Sequence, residues 1–304
     1  MSAVSVITPT IEDGLLLVDK PQGWTSMDVN RWLKRLLHIK RIGHLGTLDP
    51  IATGVLPVFL GRATRLIPYF EGANKEYMVD ISFGVESDTW DADGEVVRSG
   101  DVSVHREDVV QALEKLRGVQ ELLAPPFSAK KINGKRFYDL AREGKKVPDR
   151  MISIEIFDIR LEHYESNPPR AGVYVSCSKG TYTRSIAHTL GKALGCGAIQ
   201  SGLRRISAGA FHVDRSFNME KIEVALEEGR AFDVVIPFGE ILQLPSVVIP
   251  DGQVIRARSG GMVSARTEGP CQPYERVKIF SENGDMVAIG LSLPGGKVKP
   301  ERIL

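Results

Sequence analysis

Two hydrophobic periodicities run irregularly along this chain of 304 residues, and their order predicts an α+β fold. After Thr25 or Ser26, either of which can cap a helix, apolar residues recur with the spacing of one helical face: Val29, Trp32, Leu33, Leu36 and Leu37. In residues 77–83 they occupy every second position, which is typical of a strand buried on one face. The two patterns do not alternate regularly, as they would in a parallel α/β sheet. We therefore expect a largely antiparallel central sheet flanked by helices.

The same patterns predict further elements. The predicted strands are residues 14–20, 56–60, 152–164, 172–178 and 206–214. Three further helices are predicted. One begins at Ser103 and stops at Gly118, one covers residues 183–194, and a short one around Leu140 ends at Gly144. The apolar phase of the long strand shifts at residues 156–157, which indicates a β-bulge.

The pattern changes near residue 245. From there the chain has short β-runs, among them residues 276–280 and 286–292, joined by the hairpin signal Asn283-Gly284. This predicts two domains, residues 1–244 and 245–304. The second is a small β-barrel of roughly sixty residues, a size that is marginal for independent folding.

Composition limits the compartment and the chemistry. The three cysteines, Cys177, Cys196 and Cys271, have no CxxC spacing, which argues against a disulfide framework or a zinc site and fits a reducing cytoplasm. No apolar run reaches the length of a membrane span, and the first residues lack the pattern of a secretory signal. We therefore expect a cytoplasmic protein that does not bind a membrane.

Positive charge is concentrated in two runs, although the net charge is only +1. They are Arg31, Lys34, Arg35, Lys40 and Arg41, and then Lys130, Lys131, Lys135, Arg136, Arg142, Lys145 and Lys146. Either run alone is most simply a solvated surface. Two such runs beside glycine-rich turns and aromatic residues favour contacts with phosphates.

The segment from Gly43 to Pro57 holds a single acidic residue, Asp49, among glycines, prolines and aliphatic residues. A desolvated carboxylate usually has a partner or a function, although an Asx-turn before Pro50 is a plain alternative. The segment lacks the signatures of a phosphate-binding loop and of a dinucleotide site, and the chain has no GxSxG. A second acidic segment, residues 88–94, hints at a metal loop. Because Thr89 stands where an EF-hand needs its first aspartate, an acidic turn is favoured there.

Several blocks of the sequence resemble the TruB family of tRNA pseudouridine synthases. Residues 43–57 resemble the catalytic motif of that family, and residues 19–26 (DKPQGWTS) its opening motif. Further blocks that match in the same order are KEY at 75–77, DADG at 91–94, PPFSAK at 125–130, KGTYTR at 179–184 and LRR at 203–205. The resemblance covers residues 14–215. The tail is similar to a PUA module in size, position and β-character.

This resemblance implies a pseudouridine synthase fold with a PUA-like C-terminal barrel, and an enzyme that isomerises uridine 55 in the T-arm of tRNA. It implies no cofactor and no metal. It assigns catalysis to Asp49, Arg184 and Tyr77, with Arg184 paired to Asp49 and Tyr77 stacked on the target base. The substrate-contact positions are His44, Tyr182, Leu203, Lys20 and Lys130, of which Lys20 lies in the motif that supports the pocket. Trp90 occupies a variable position of the acidic loop and has no assigned role. We expect a monomer that needs no protein partner.

The chemistry of these residue types agrees with those assignments. Isomerisation needs one group that acts on the sugar, as nucleophile at C1′ or base at C2′, and an ionised carboxylate can do either. A buried carboxylate needs a nearby cation to stay charged, which is a role for an arginine. Tyr77 could equally be a core tyrosine, and His44 a turn residue or an RNA contact. Two other functions stay open: a guide-RNA-dependent pseudouridine synthase, and a tRNA-folding protein in which catalysis is dispensable.

Overall fold

The computed structural model describes residues 13–98, 102–127, 131–132, 135–136, 150–267 and 269–304. The short helix predicted around Leu140 and the predicted contact Lys130 lie outside the described residues. The helices are α1 (Ser26–Leu37), α2 (Arg106–Glu114), α3 (Thr183–Ala193), α4 (Met219–Glu227) and α5 (Val254–Arg258). The described residues also include short 3₁₀ segments, among them Gly61–Tyr69.

The strands are β1 (Gly14–Lys20), β2 (Ile42–His44), β3 (Ala52–Leu60), β4 (Lys75–Phe83), β5 (Val85–Ser87), β6 (Val96–Arg98), β7 (Gly118–Leu123), β8 (Lys131–Ile132), β9 (Lys135–Arg136), β10 (Met151–Ser166), β11 (Pro169–Cys177), β12 (Ala198–Ala208), β13 (Phe211–His212), β14 (Val235–Pro237), β15 (Ser246–Ile249), β16 (Val263–Ser264), β17 (Arg266–Thr267), β18 (Arg276–Ser281), β19 (Met286–Leu293) and β20 (Lys297–Ile303).

The main sheet has the strand order β14-β1-β3-β12-β4-β11-β10-β7, with β2 beside β3 and β13 beside β12. Among these described strands the pairings are antiparallel except that of β3 with β12. The predicted α+β class and the largely antiparallel sheet are therefore confirmed. The parallel pair matters for the site, because it places the segment after the Asp49 loop directly against residues 203–205.

Local signals in the sequence account for several boundaries. Thr25, one of the two residues predicted to cap α1, is its N-cap, and it forms a reciprocal capping box with Asp28. The register of β10 against β11 shifts between residues 156 and 158, which confirms the predicted bulge. The Asn283-Gly284 hairpin is also present, since β18 pairs antiparallel with β19.

Two predicted elements were wrong in detail. The helix expected from Ser103 begins at Arg106, because Val104 is buried and keeps the chain extended up to the N-cap. The strand expected over residues 206–214 is a hairpin: β12 ends at Ala208, and β13 folds back so that Ser207 faces His212. The turn between them contains Gly209 in the left-handed region, with φ +62°.

A second sheet, with the order β16-β20-β19-β18-β15-β17, forms a nearly closed barrel from residue 246 onward. It is not separate from the main sheet, because one hydrophobic cluster contains residues of both. The cluster includes Leu15, Phe59, Leu66 and Phe238 from the first part of the chain and Met286, Ile289 and Leu304 from the barrel. The Lys278 ammonium also donates to the Gly239 carbonyl at 2.8 Å. Position 245 as a domain boundary stays a prediction.

Candidate active site

Asp49 lies in the loop between β2 and β3, and hydrogen bonds hold this loop on both sides of it. The buried Ser26 hydroxyl accepts a hydrogen bond from the Leu48 amide at 2.8 Å and donates one to the Leu48 carbonyl at 3.1 Å. The Gly23 amide donates to the Pro50 carbonyl at 2.8 Å. The start of α1 and the turn before it therefore position the carboxylate.

Lys20 supports the same loop from inside the protein. Its fully buried ammonium donates to the carbonyls of Trp24 at 2.5 Å and of Pro21 at 2.9 Å, and approaches that of Pro50 at 3.5 Å. Burial lowers the pKa of Lys20 to about 8, although the negative charge of Asp49 opposes this shift. Since no part of Lys20 is exposed to solvent, its contacts with the site are those with the loop.

Arg184, the second residue of α3, pairs with Asp49. Its Nη2 lies 3.0 Å from the Asp49 Oδ2, and its Nη1 lies 3.2 Å from the Asp91 Oδ2. The two ends of the first pair differ in exposure: the Arg184 side chain is 7% exposed and that of Asp49 is 40% exposed. Asp49 is thus a partly exposed carboxylate that is bound to a buried arginine.

Both terminal nitrogens of the Arg184 guanidinium have a second partner. Nη1 also donates to the Thr89 carbonyl at 3.2 Å, and Nη2 to the Phe127 carbonyl at 3.1 Å. Each terminal nitrogen therefore contacts one carboxylate and one carbonyl, which fixes the plane of the group. A planar fork of donors suits such a site, whereas an ammonium is a single point charge.

The desolvated carboxylate of the site is Asp91 and not Asp49, which corrects the expectation from the sequence. The Asp91 side chain is 5% exposed. Its Oδ1 accepts hydrogen bonds from the Thr89 hydroxyl at 2.5 Å and the Asp93 amide at 3.1 Å. Asp91 is the buried carboxylate that pairs with Arg184, so Asp49 can remain half-exposed. The sequence did not reveal this role, because a buried and an exposed aspartate look alike in one sequence.

A third carboxylate, Asp93, lies close by. Burial raises its pKa, and the charges of Asp91 and Asp49 act in the same direction, while a hydrogen bond from the Ile51 amide opposes them. Within the described part of the chain, no three His, Cys, Asp or Glu residues are grouped so that they could hold a metal ion. Two groups of this acidic segment, the Thr89 carbonyl and the Asp91 carboxylate, accept hydrogen bonds from Arg184.

Tyr77 lies near the start of β4 and is 7% exposed. Burial raises its pKa to about 12, and the Arg205 guanidinium, which hydrogen-bonds with it, opposes the shift. The negative charge of Asp49 adds to the rise. The phenol is therefore neutral over the physiological pH range. Its ring belongs to the hydrophobic core, as the alternative from the sequence allowed.

Arg205 joins Tyr77 to the Asp49 loop and is itself completely buried. It donates to the carbonyls of Val55 at 2.8 Å, Gly46 at 2.9 Å and Leu45 at 3.4 Å. Its backbone lies against Gly54, where φ is +99° and a Cβ would be 2.2 Å from the Arg205 carbonyl oxygen. Gly54 is therefore needed for the close approach of β3 to β12. Nothing in the sequence pointed to this role, because a fully buried arginine is exceptional.

The remaining predicted contacts surround this centre. The half-buried His44 ring contacts the Asn30 amide at 2.9 Å and the Thr47 hydroxyl at 3.2 Å, and burial lowers its pKa. Leu203 is buried in β12 beside Ala52 of β3. Tyr182 is the N-cap residue of α3, two positions before Arg184, and packs against the core.

The sheet and barrel have counterparts among known structures. The chain aligns with a structure titled as an H/ACA ribonucleoprotein bound to a substrate RNA containing 2′-deoxyuridine, with a TM-score of 0.68, 24% identity and coverage of 97% of this chain and 86% of the other. A structure titled as a Cbf5–Nop10–Gar1 complex gives a TM-score of 0.67 and 25% identity, with 97% and 85% covered. The fold is that of the pseudouridine synthases.

Sequence comparisons narrow this class to one family. Residues 34–183 match the "TruB family pseudouridylate synthase (N terminal domain)", and residues 184–243 match the "tRNA pseudouridylate synthase B C-terminal domain". A tRNA pseudouridine synthase B of Solibacter usitatus is 39% identical over 91% of this chain and 95% of its own. One of Bacillus subtilis is 36% identical, with 96% and 97% covered. The chain belongs to the TruB family of pseudouridylate synthases, which are isomerases.

Proposed function

We propose that the protein converts uridine 55 in the T-arm of tRNA to pseudouridine, with Asp49 as the catalytic carboxylate and without a cofactor. In this reaction the base leaves C1′ of its ribose and rejoins it through C5, so no atom is gained or lost. Two findings support the substrate: relatives of 35–39% identity are named tRNA pseudouridine synthases, and residues 43–57 carry the motif expected of this reaction. Two basic runs supply positive charge for RNA.

The observation that carries the proposal is the Asp49–Arg184 pair. Arg184 binds Oδ2 of Asp49 at 3.0 Å, and the carboxylate is 40% exposed. Among the described residues, the ion pair of this carboxylate is formed through Oδ2, and we propose that Oδ1 faces the bound ribose. A carboxylate kept ionised in this way can attack C1′ or remove the proton from C2′.

The target base has to leave the stacked RNA to reach Asp49. Flipping a nucleotide costs a few kcal/mol, and stacking on an aromatic side chain returns ~1–3 kcal/mol per base. We assign this stacking to Tyr77, whose ring is 7% exposed and whose phenol is neutral over the physiological pH range. We assign to His44, half-buried in the strand that leads into the loop, a contact with the RNA next to the flipped nucleotide.

The test is tritium release from an unmodified tRNA transcript that carries C5-labelled uridine. Because C5 loses its hydrogen when it bonds to C1′, we expect one tritium per tRNA to be released. A transcript with cytidine at position 55 is the matched control and should release none. Equal release from both transcripts would show that another uridine is the target. No release from either, by protein that binds tRNA, would favour the tRNA-folding alternative.

Asp49→Asn decides which residue performs the chemistry. The amide is nearly isosteric with the carboxylate but can act neither as nucleophile nor as base. We expect tritium release to fall below detection, by more than about 10³-fold, while tRNA affinity stays close to that of the unaltered protein. Turnover by the purified variant, free of unaltered enzyme, would assign the chemistry to another residue.

A further inference from the structure

Trp90 has an unusual backbone conformation and lies between the two residues, Thr89 and Asp91, that contact Nη1 of Arg184. Its φ is +63°, in the left-handed region that a bulky residue rarely adopts. Such a conformation persists where the surrounding structure holds it in place. Here the holding contacts connect Trp90 to two elements, β12 and α3.

The backbone of Trp90 is bound to β12. The Gln200 amide donates to the Trp90 carbonyl at 3.1 Å, and the Ala92 amide donates to the Gln200 carbonyl at 3.0 Å. The fully buried Gln200 side chain also accepts a hydrogen bond from the hydroxyl of Thr183, the first residue of α3, at 2.7 Å. The acidic loop and the start of α3 therefore share one support on the sheet.

The ring of Trp90 is bound to α3. It stacks on the ring of His188, with a centroid separation of 3.9 Å and an angle of 5° between the planes. His188 follows Arg184 by four residues, so both side chains lie on the same face of the helix. Burial and the nearby Lys192 lower the pKa of His188, while Glu86 opposes the shift, so the stacked ring is neutral at physiological pH.

The two neighbours of Trp90 in the chain are the residues that bind Nη1 of Arg184. The Thr89 carbonyl and the Asp91 carboxylate each lie 3.2 Å from that nitrogen. The chain turns here: the Trp90 amide donates to the Ser87 carbonyl at 3.3 Å, and with Trp90 in the left-handed region both groups reach the same nitrogen. Displacement of the Trp90 ring from His188 would therefore loosen both acceptors together.

We propose that Trp90 is a positioning residue of this enzyme: its stack on His188 holds the acidic loop against α3 and thereby aims Arg184 at Asp49. The proposal rests on the function proposed above. Trp90 itself touches neither Asp49 nor the reacting atoms. A displacement of about 1 Å in such a centre can lower turnover by about 100-fold.

The test compares four variants by turnover and KM on unmodified tRNA. Trp90→Ala removes the ring, Trp90→Gly removes it while favouring the left-handed turn, and Trp90→Phe keeps an aromatic ring. His188→Ala removes the other half of the stack. We expect kcat to fall about 10- to 100-fold in both ring-less Trp90 variants and in His188→Ala, with KM within about twofold, and to recover to within about threefold in Trp90→Phe.

Two further measurements separate the stack from backbone effects. The double variant Trp90→Ala/His188→Ala should be no slower than either single variant, because both changes break one contact. Tyr274→Gly is the matched control: Tyr274 has φ +65°, is 70% exposed and lies in the barrel, so kcat should not change. Activity in Trp90→Gly equal to that of the unaltered enzyme would show that the turn alone matters and would overturn the proposal.

A spectroscopic arm tests the stack without using activity. A protonated imidazole stacked on an indole quenches its fluorescence, so acidification below pH 6.5 should lower emission in the unaltered protein and not in His188→Ala or Trp90→Ala. If this titration is present but kcat stays within twofold of the unaltered enzyme in His188→Ala, the stack exists and does not position Arg184. Failure of the proposed function is recognised separately, by turnover in Asp49→Asn.

Variants that fail to fold are identified by circular dichroism and thermal melting before kinetics. Should both ring-less Trp90 variants unfold, His188→Ala and His188→Phe decide the question from the other side of the stack. His188→Phe preserves a ring for stacking and should keep kcat within about threefold, whereas His188→Ala should not. Equal rates for these two variants would overturn the proposal.

Discussion

Arg184 is the buried cation that binds the Asp49 carboxylate directly. Its guanidinium contacts two carboxylates and two carbonyls, each at 3.0 to 3.2 Å. Replacement by lysine keeps the charge but supplies one nitrogen for positions that two nitrogens now occupy. We expect Arg184→Lys to lower kcat by at least about 100-fold with a change in tRNA affinity of less than about threefold.

Single-turnover tritium release and filter binding measure these two quantities for Arg184→Lys. The matched control is Arg117→Lys, because Arg117 also pairs with carboxylates, including Asp158 at 2.7 Å, but is exposed and directly precedes β7, an edge strand of the main sheet. A rate for Arg184→Lys equal to that of the control would mean that the ion pair does not contribute to the reaction.

Lys20 makes stability depend on pH. Its folded-state pKa is about 8 against an ordinary value of 10.5. Between these values the unfolded chain binds more protons, so the Lys20 contribution to the free energy of unfolding rises with pH by up to about 1.4 kcal/mol per unit. Below pH 8 both states are protonated and the contribution is constant.

Urea unfolding of the unaltered protein and of Lys20→Met at several pH values tests this prediction. The difference between the two proteins isolates Lys20 from Cys177 and Tyr77, whose raised pKa values act in the opposite direction at high pH. We expect the difference in free energy of unfolding to be flat below pH 7.5 and to rise above pH 8 by about 1 kcal/mol per unit. A difference independent of pH up to 10 would contradict the burial of a charged Lys20.

The sequence indicated the members of the site better than their roles. Asp49 and Arg184 were found by the resemblance of their motifs, and the structure brings them to 3.0 Å. The roles of Asp91 and Arg205 could not be predicted, because charged residues are usually exposed and burial by distant segments leaves no local pattern. Arg205 makes hydrogen bonds to carbonyls about 150 to 160 residues away in the chain.

At the scale of elements, α1 has two faces with different functions. Its inner face holds the catalytic loop through Ser26 and contacts His44 through Asn30. Its outer face exposes Arg31, Lys34 and Arg35. Because one short helix connects both, RNA phosphates bound to the outer face would lie beside the entrance to the site. We infer that these basic residues contribute affinity and not catalysis.

The double variant Lys34→Glu/Arg35→Glu tests this division. We expect weaker tRNA binding and a shallower salt dependence, by about 0.7 to 0.9 in log–log slope for each RNA phosphate that is no longer neutralised. With saturating tRNA, kcat should stay within about twofold of the unaltered enzyme. Arg106→Glu, an exposed charge reversal on α2, serves as the control. An unchanged salt slope in the α1 variant would place the RNA elsewhere.

Elements with regular periodicity could be predicted, and elements whose neighbours lie far away could not. Residues 77–83 alternate and form β4, and the apolar face of α1 packs as its spacing indicated. Strand β12 showed no alternating pattern, since it lies in the middle of the sheet and buries Gln200 and Arg205 as well as apolar residues. Gln200 and Arg205 form hydrogen bonds with loops of the site that are distant in the chain, and a short stretch of sequence does not reveal such contacts.

At the scale of the whole molecule, the barrel and the main sheet share a hydrophobic cluster. A truncation after Leu244 would uncover the part of this cluster formed by Leu15, Phe59 and Phe238. We expect the truncated protein to fold with a lower melting temperature and to bind a hydrophobic dye, because an apolar face is exposed.

The same truncation separates affinity from chemistry. It removes seven exposed basic residues: Arg256, Arg258, Arg266, Arg276, Lys297, Lys299 and Arg302. We expect a higher KM for tRNA with a shallower salt dependence, and a kcat within about threefold of the full chain. Turnover against tRNA concentration at two salt levels measures both. A folded truncation with unchanged affinity and no turnover would mean that the barrel helps to build the active site.

The pairing of β1 with β14 imposes an order in time on the synthesis of this protein. Leu15 faces Phe59 on one side, a partner that leaves the ribosome soon after it, and Ile236 on the other, about 220 residues later. At about 5–20 residues per second, the second edge of β1 waits for about 10 to 45 seconds. During that interval a strand of sequence GLLLV has an unpaired edge, which is a template for aggregation. We therefore expect the nascent chain to be most prone to aggregation before residue 236 emerges, and slower translation ahead of that point to lengthen the exposure.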